Sequence, residues 1–207
     1  MDKTNNKGFI IKLSLILFAI TFIATLLLTL CNYVTKDRIE MLEKQNAEEA
    51  KRAVIADAEF RILTLDKDIL NKHKDCGEIE AFRAVRNGKF AGYCINVHPS
   101  GYIGTINMIV GINPDLSFSG IKIVSMSETP GLGAKATDEA FYGQFSEGKK
   151  GKLSVVKNVK SPAENEINAI SGATITSRAI TETGANCALE IAKELIKKEG
   201  EILEGKQ

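Results

Sequence analysis

The residues best suited to chemistry form a short run of small and hydroxylated side chains, Ser171-Gly172-Ala173-Thr174, directly ahead of a long helical pattern. Small residues let backbone N–H groups approach an anion, and the first turn of a helix adds unpaired donors and a partial positive charge. The run therefore suits a phosphate group. It also suits a simple N-cap, in which a Ser or Thr hydroxyl accepts a bond from the helix backbone, and spacing alone favours the cap.

A second run, Glu128-Thr129-Pro130-Gly131-Leu132-Gly133, has the composition of an irregular loop. Taken by itself, a Pro-Gly-x-Gly loop is typical of a turn. Its glycines would also allow the backbone to approach a ligand closely.

Nothing in the sequence predicts a metal site or an intrinsic catalytic group. The chain has four cysteines and two histidines: Cys31, Cys76, Cys94, Cys187, His73 and His98. They form no CxxC motif and no ligand spacing typical of a metal site, so buried free thiols are the default expectation, and the sequence does not decide whether any two cysteines outside the apolar segment pair. A Thr hydroxyl is a weak nucleophile that needs a base, and neither histidine is recognisably paired with Thr174, so we expect no catalytic residue.

Composition and charge place the chain among ordinary globular proteins. With 26% charged residues, 44% hydrophobic residues and a net charge of +1, it lacks the basic surplus that binding to nucleic acid phosphates requires.

Residues 13–35 form an uncharged apolar segment of 23 residues. At a rise of about 1.5 Å per residue, it is long enough to cross a hydrocarbon core of about 30 Å. The competing interpretation, a cleaved signal peptide, requires a small-x-small cleavage site that the segment lacks, and Leu30 before Cys31 argues against a lipoprotein. The sequence therefore predicts an uncleaved transmembrane helix that anchors the protein in membrane lipid.

The charges flanking this segment are close to balanced, so they do not decide its orientation. A short N-terminal flank, 1–12, and a long C-terminal part favour a cytoplasmic N-terminus. We expect the globular domain on the extracytoplasmic face of the cell (inner) membrane.

The remaining sequence predicts one α+β domain, an antiparallel sheet flanked by helices. Residues 36–58 favour a juxtamembrane helix, and 81–86 and 89–98 favour a hairpin around Asn87-Gly88. Further strands are predicted within 102–112 and 116–126, a short helix over 136–145, and a long helix over 177–198. The domain is expected to cover 59–199, followed by a polar tail at 200–207.

The run Asn168-Ala169-Ile170-Ser171-Gly172-Ala173-Thr174 resembles the Asp-x-x-Ser/Thr-Gly-Ala-Thr flavinylation motif of FMN-binding domains. The resemblance implies that FMN is covalently joined through its phosphate to the hydroxyl of Thr174, with Thr176 as a nearby decoy. Asn168 replaces the usual Asp, which retains hydrogen-bonding capacity but loses the charge. We expect Asn168→Asp to leave attachment intact or to improve it.

The Glu128–Gly133 run resembles the Glu-Thr-Pro-Gly-Leu-Gly segment that lies against the flavin in the same family. The implied cofactor-binding residues are Thr174, Ser171, Gly172, Ala173, Thr176, Asn168, Glu128, Thr129, Gly131, Leu132 and Gly133.

Over nearly its full length the chain resembles the G subunits of Rnf ion-translocating electron-transport complexes, and secondarily the C subunits of sodium-translocating NADH:quinone oxidoreductases. The resemblance implies an electron-relay subunit between ferredoxin and NAD. Its expected partners are the other subunits of the complex and a flavin transferase that attaches FMN. Two alternatives stay open: a stand-alone flavinylated carrier, and a membrane-anchored binding module without flavin.

Overall fold

The computed structural model describes residues 3–146 and 148–204, and the side chains of 8–146 and 148–199. The chain divides into two compact units, 1–45 and 46–207. Residues 1–2 of the predicted N-terminal flank lie outside the described residues. So do residues 205–207 of the predicted tail and the side chains of its other residues.

The first element is a single long helix, α1, Lys3–Val54. It includes the predicted anchor and most of the predicted juxtamembrane helix. Its apolar part reaches a mean hydropathy of 2.6 over 18 residues, none of them buried in the protein, so by length and composition it could cross a membrane. The side chains of Ala50 and Val54 at its end are buried against the sheet of the second unit.

The second unit is built on a five-stranded antiparallel sheet in which the strands follow one another in chain order. The strands are β1 Glu59–Leu63, β2 Ile79–Arg86, β3 Lys89–Val97, β4 Ile106–Ile112 and β5 Phe118–Met126. This confirms the α+β class and the meander. Strand β1 and helix α2, Lys67–Lys72, are additions that the sequence pattern did not predict.

The predicted hairpin forms between β2 and β3. Asn87 and Gly88 both have positive φ, 51° and 75°, as a two-residue turn of this type requires. Arg86 pairs with Lys89 across it, and the register shifts once between Ala84 and Val85.

After the sheet, two short strands, β6 Ser154–Val156 and β7 Glu166–Asn168, pair in parallel. Between β5 and β6 lie a short helix, α3, Glu139–Tyr142, and the 3₁₀ turns Gly133–Thr137 and Gly143–Phe145. Phe141 and Phe145 of this region meet edge to face, with ring centroids 5.7 Å apart.

The chain ends in one helical run with three parts. These are α4 Thr174–Arg178, a π-helical segment Ala179–Ala185, and α5 Asn186–Glu204. The run starts earlier and ends later than the predicted 177–198. A Cβ at Gly184 would lie 2.7 Å from Met108 Sδ of β4, so glycine allows the π-helical segment to pack closely on the sheet.

The two faces of the sheet are covered by different elements, and side chains alternate between them. One cluster joins the C-terminal helical run to residues such as Tyr93, Ile95 and Met108. A smaller cluster on the other face joins the end of α1 and Ile55 to the sheet.

The default expectation of free thiols is wrong for two of the cysteines. Cys76, in a 3₁₀ turn after α2, and Cys187, in α5, form a disulfide across 111 residues of sequence. The α5 periodicity points Cys187 inward, but the position of its partner depends on tertiary structure. Cys94 is a buried free thiol, and burial raises its pKa to about 12.

Candidate functional site

A cleft of about 440 Å³ lies where the loop after β5 meets the start of the C-terminal helical run. This volume falls within the usual range for small-molecule sites. The lining residues come from three separate segments: Tyr102, Glu128, Thr129, Leu132, Gly133, Gly172, Ala173, Thr174, Ile175 and Thr176. The structure thus brings together two runs that are about 40 residues apart in sequence.

The helix that begins at Thr174 has no side-chain cap. Ala173 is its N-cap residue, with φ −131° and ψ 47°. The Ser177 hydroxyl instead donates to the Ala173 carbonyl oxygen and accepts from the Ile170 N–H, both at 2.9 Å. The N-cap interpretation of the small-residue run is therefore wrong, since no side-chain hydroxyl caps the first turn of this helix.

Gly172 and Leu132 fix the contact between the two loops. Gly172 has φ of 77°, a conformation that side chains disfavour, and a Cβ there would lie only 3.0 Å from Leu132 Cδ2. Leu132 remains 43% exposed. Its side chain therefore offers an apolar surface beside Ser171–Thr174, hereafter the SGAT run, and a flat ring system could pack on that surface.

Glu128 is the charged residue of the lining set. It is 8% exposed, and its carboxylate accepts bonds from the Tyr102 N–H at 2.8 Å, the Ile103 N–H at 3.1 Å and the Thr176 hydroxyl at 2.8 Å. Such donors offset the cost of burying a carboxylate.

Three sequence-predicted site residues do not line this cleft. Asn168 and Ser171 line a neighbouring depression, and Gly131 is an exposed loop residue with φ of 77°. The Asn168 amide accepts from the Val159 N–H at 3.0 Å and donates to the Val159 carbonyl at 2.8 Å. These two bonds connect the segment just before the SGAT run to the loop that contains Val159. The expected effect of Asn168→Asp on FMN attachment stays a prediction.

The structure also adds two lining residues that sequence reasoning missed, Tyr102 and Ile175. They are 67% and 56% exposed, so both side chains present apolar surface to solvent at the cleft. Ile175 could have been inferred from its place between two motif threonines. Tyr102 could not, because its loop reaches the cleft only through the folded sheet.

A potential metal-ligand cluster lies elsewhere, with ligand atoms of His73, Cys76 and Cys187 within 4.8 Å of one another. The two sulfur atoms are bonded to each other in the disulfide. The sequence predicted no metal site here, since the three residues converge only in the fold.

Comparison with known proteins bears on this cleft directly. A family model described as "FMN-binding domain" matches residues 101–189, a range that contains every lining residue. Over 198 residues, the chain is 36% identical to the G subunit of the Na(+)-translocating ferredoxin:NAD(+) oxidoreductase complex of Acetobacterium woodii, covering 91% of this chain and 94% of that protein. The chain belongs to the family of G subunits of ion-translocating oxidoreductase complexes.

Other G subunits support the same assignment. The chain is 39% identical over 132 residues to the G subunit of the proton-translocating ferredoxin:NAD(+) oxidoreductase complex of Clostridium ljungdahlii, covering 64% of this chain and 69% of the relative. It is 31% identical to the G subunit of an ion-translocating oxidoreductase complex of Aliivibrio fischeri, covering 83% and 85%. Among solved structures, Shewanella oneidensis NqrC matches with a TM-score of 0.48 and 22% identity, over 64% of this chain and 69% of that one.

Because the matching family model is that of an FMN-binding domain, FMN is the cofactor expected in this cleft. The cleft suits it, because a glycine-lined helix start, apolar surface at Leu132 and Ile175, and the half-buried residue Thr174 lie together.

Proposed function

We propose that this chain is a membrane-anchored electron-transfer subunit that carries FMN as a phosphoester on Thr174. It relays electrons within an ion-translocating ferredoxin:NAD oxidoreductase complex. The observation that supports this most directly is the position of Thr174, which lies in the cleft of the FMN-binding domain at the start of a helix without a side-chain cap.

Thr174 suits covalent attachment because its hydroxyl is not committed to the protein. Among the residues with described side chains, it has no hydrogen-bond partner, and it is half-buried rather than enclosed. Gly172 and Gly133 line the same cleft, and the helix N–H groups favour the negative charge of a phosphodiester.

When bound, FMN supplies the electron-transfer chemistry. The chain contributes tethering, through Thr174, and apolar packing surface, through Leu132, Ile175 and Tyr102. A covalent link would keep the flavin from being lost into extracytoplasmic space.

Maturation requires a separate flavin transferase in this proposal. Neither histidine lines the cleft, so no described imidazole is placed to activate the Thr174 hydroxyl. The His98 Nδ1 atom instead lies 2.8 Å from the Glu78 carbonyl oxygen.

Anchoring through 13–35 is supported by exposure. Large apolar side chains from Phe9 to Val34 are about half exposed or more in the chain alone, from 48% to 80%. Water does not tolerate so extensive an apolar surface, whereas lipid does.

The disulfide supports placing the domain on the extracytoplasmic face. Disulfides persist in oxidising compartments and are rare in reducing cytosol. The Cys76–Cys187 bond joins two separate parts of the domain, as expected of a structural crosslink.

The remaining subunits of the complex are the proposed partners, because a single span cannot translocate ions alone and residues 13–35 contain no ionisable group apart from Cys31 and Tyr33. Two relatives with similar identity, 36% and 39%, carry names that specify sodium and proton translocation respectively.

Mass spectrometry of the denatured full-length protein tests the attachment. We expect an FMN-sized adduct on the Thr174 peptide when the chain is produced with a flavin transferase, and none without the transferase or in Thr174→Ala. Thr137→Ala is the matched control, since Thr137 is exposed and lies outside the cleft. An unmodified Thr174 in the presence of active transferase would favour the flavin-free binding module.

A labelling experiment tests the orientation. Lys160 is exposed, so in a variant that lacks Cys31 the substitution Lys160→Cys should create a thiol that reacts with a membrane-impermeant maleimide in intact spheroplasts. A cysteine at Asn5 should react only after lysis. The reverse pattern would place the domain in the cytoplasm.

Purification tests the partners. The flavinylated chain should copurify with polytopic and iron–sulfur subunits from gently solubilised membranes. Recovery of a flavinylated chain without any of them would favour the stand-alone carrier.

A further inference from the structure

Two threonine hydroxyls in the first turn of α4 have opposite environments although they are only two residues apart. Thr176 is 1% exposed, and its hydroxyl donates to Glu128 Oε2 at 2.8 Å. Thr174 is half-buried at the cleft, and no partner for its hydroxyl lies among the residues with described side chains. Local sequence does not explain this difference, because both residues follow the same small-residue run.

Glu128 accounts for the difference. One carboxylate oxygen accepts from Thr176, and the other accepts from the Tyr102 and Ile103 N–H groups, at 2.8 and 3.1 Å. A single buried side chain therefore connects the loop after β5, the 101–104 loop and the first turn of α4.

Two glycines make room for this carboxylate. A Cβ at Gly133 would lie 2.6 Å from Glu128 Oε2 and 2.9 Å from Thr176 Oγ1. A Cβ at Gly101 would clash with Glu128 Oε1. Any larger residue at either position would displace the carboxylate, so the surrounding backbone is matched to it.

We propose that Glu128 is a positioning residue: by holding Thr176 and the 101–103 loop, it fixes the first turn of α4 so that Thr174 is the hydroxyl presented for FMN attachment. This rests on the proposed function. Glu128 acts through protein donors and does not need to touch the flavin, because both of its oxygens are already engaged.

Four variants separate the contributions. Glu128→Ala removes all three bonds and leaves two backbone donors and one hydroxyl without their acceptor. Thr176→Val removes only the hydroxyl, whereas Thr176→Ser retains it and should restore normal behaviour. Glu182→Ala is the matched control, because Glu182 also accepts from a backbone N–H, that of Val155 at 3.1 Å, but lies outside the cleft.

The first measurement is amide hydrogen exchange on the flavin-free full-length protein. In Glu128→Ala, the Tyr102 and Ile103 amides should exchange at least tenfold faster, while amides of the central strand β3 keep their protection. Glu182→Ala should leave the exchange rates of the Tyr102, Ile103 and strand amides unchanged. Unaltered protection of Tyr102 and Ile103 in Glu128→Ala would overturn the proposed connection.

The second measurement is the rate at which a flavin transferase moves FMN from FAD to the Thr174 hydroxyl, followed by mass spectrometry; the new phosphoester bond replaces the pyrophosphate bond of FAD, and AMP and the hydroxyl proton are released. Glu128→Ala and Thr176→Val should be modified at Thr174 at least fivefold more slowly than the parent, with Thr176→Ser and Glu182→Ala at the parent rate. Parent-like rates in both slow variants would overturn the positioning role. If Glu128→Ala does not fold, a parent-like rate in Thr176→Val, which retains the Glu128 side chain, is enough to overturn it.

The two hypotheses fail in different ways. If the parent protein itself takes up no flavin, the proposed function fails, and the positioning role fails with it. If the parent is flavinylated and both variants match it, only the role of Glu128 fails.

Discussion

The two faces of the five-stranded sheet carry hydrophobic clusters of different size. The pocket face, defined by Tyr93, Ile95 and Met108, supports the C-terminal helical run, the disulfide and the cleft. The α1 face, defined by Ala84, Cys94, Ile109 and Val124, packs against the end of α1 and Ile55. Aromatic side chains such as Phe118 and Phe145 are fully buried in the first cluster, whereas the second contains mainly small and β-branched residues.

The two clusters hold different parts of the protein in place. The large cluster holds two distant loops around the cleft, which a flavin site requires. The small cluster attaches a helix that continues into the apolar segment. Lys51 remains buried in this thin layer, with its ammonium 4.0 Å from the Phe82 ring and paired with Glu48.

The largest expected effect on stability comes from removing the disulfide on the pocket face. Closing a loop of 111 residues restricts the unfolded chain, so Cys76→Ser with Cys187→Ser should lower the free energy of unfolding by about 3–5 kcal/mol. Denaturant titration of the full chain in detergent micelles measures this, with the reduced parent as the matched comparison. Equal stability of oxidised and reduced parent would contradict the prediction.

A pair of matched truncations compares the two clusters directly. Ile180 and Ile109 are 0% and 1% exposed, one on each side. We expect Ile180→Ala to cost about 4 kcal/mol and Ile109→Ala about 2 kcal/mol, because the small residues of the α1 face can relax into the gap. Equal losses in the same titration would mean that both layers are equally rigid.

The reactivity of Cys94 measures how often the α1 face opens. Burial raises its pKa to about 12, so little thiolate exists at about pH 8 in the folded protein. With Cys31 replaced by Ser, a maleimide should label Cys94 in urea within minutes and hardly at all in the native state. Ile109→Ala should speed the labelling of Cys94 in the native protein at least tenfold, and Ile180→Ala should speed it much less. The opposite ranking would mean that the α1 face is the less easily opened of the two.

The smallest effect is expected at the turn between β4 and β5, away from both clusters. Bonds from the Lys150 ammonium and from the Ser117 hydroxyl and N–H hold the pKa of Asp115 well below its usual range. The stabilisation is therefore complete above about pH 4 and is lost as the pH falls through the lower, folded-state value. The melting temperatures of the parent and Asp115→Asn should differ slightly at neutral pH, and the difference should shrink steadily as the pH falls below about 4; a constant difference would exclude this linkage.

Much of the fold was predictable because its signals are local. Asn87-Gly88 fixes the hairpin turn, short apolar runs bounded by turn residues define β3 and β4, and the long apolar run defines the exposed part of α1. Strand β1 and the β6–β7 pair were not predicted, since short strands gain their stability from neighbours rather than from their own pattern.

The candidate site was also predictable in part. The SGAT run and the Glu128–Gly133 loop carry a family pattern, and the structure places most of their residues in one cleft. Asn168 and Ser171 lie beside it because the chain turns at Gly172, and Tyr102 joins it through a loop on another edge of the domain.

By itself the sequence determined the apolar segment, the α+β class and the threonine that matches the flavinylation motif, because each depends on residues close together in the chain. Only the tertiary structure decided that Cys76 pairs with Cys187 and that Glu128 engages Thr176 while Thr174 remains uncommitted. These outcomes depend on contacts between residues 48 and 111 positions apart, whose meeting is set by packing of the sheet and the C-terminal helical run. Local patterns carry no information about such distances.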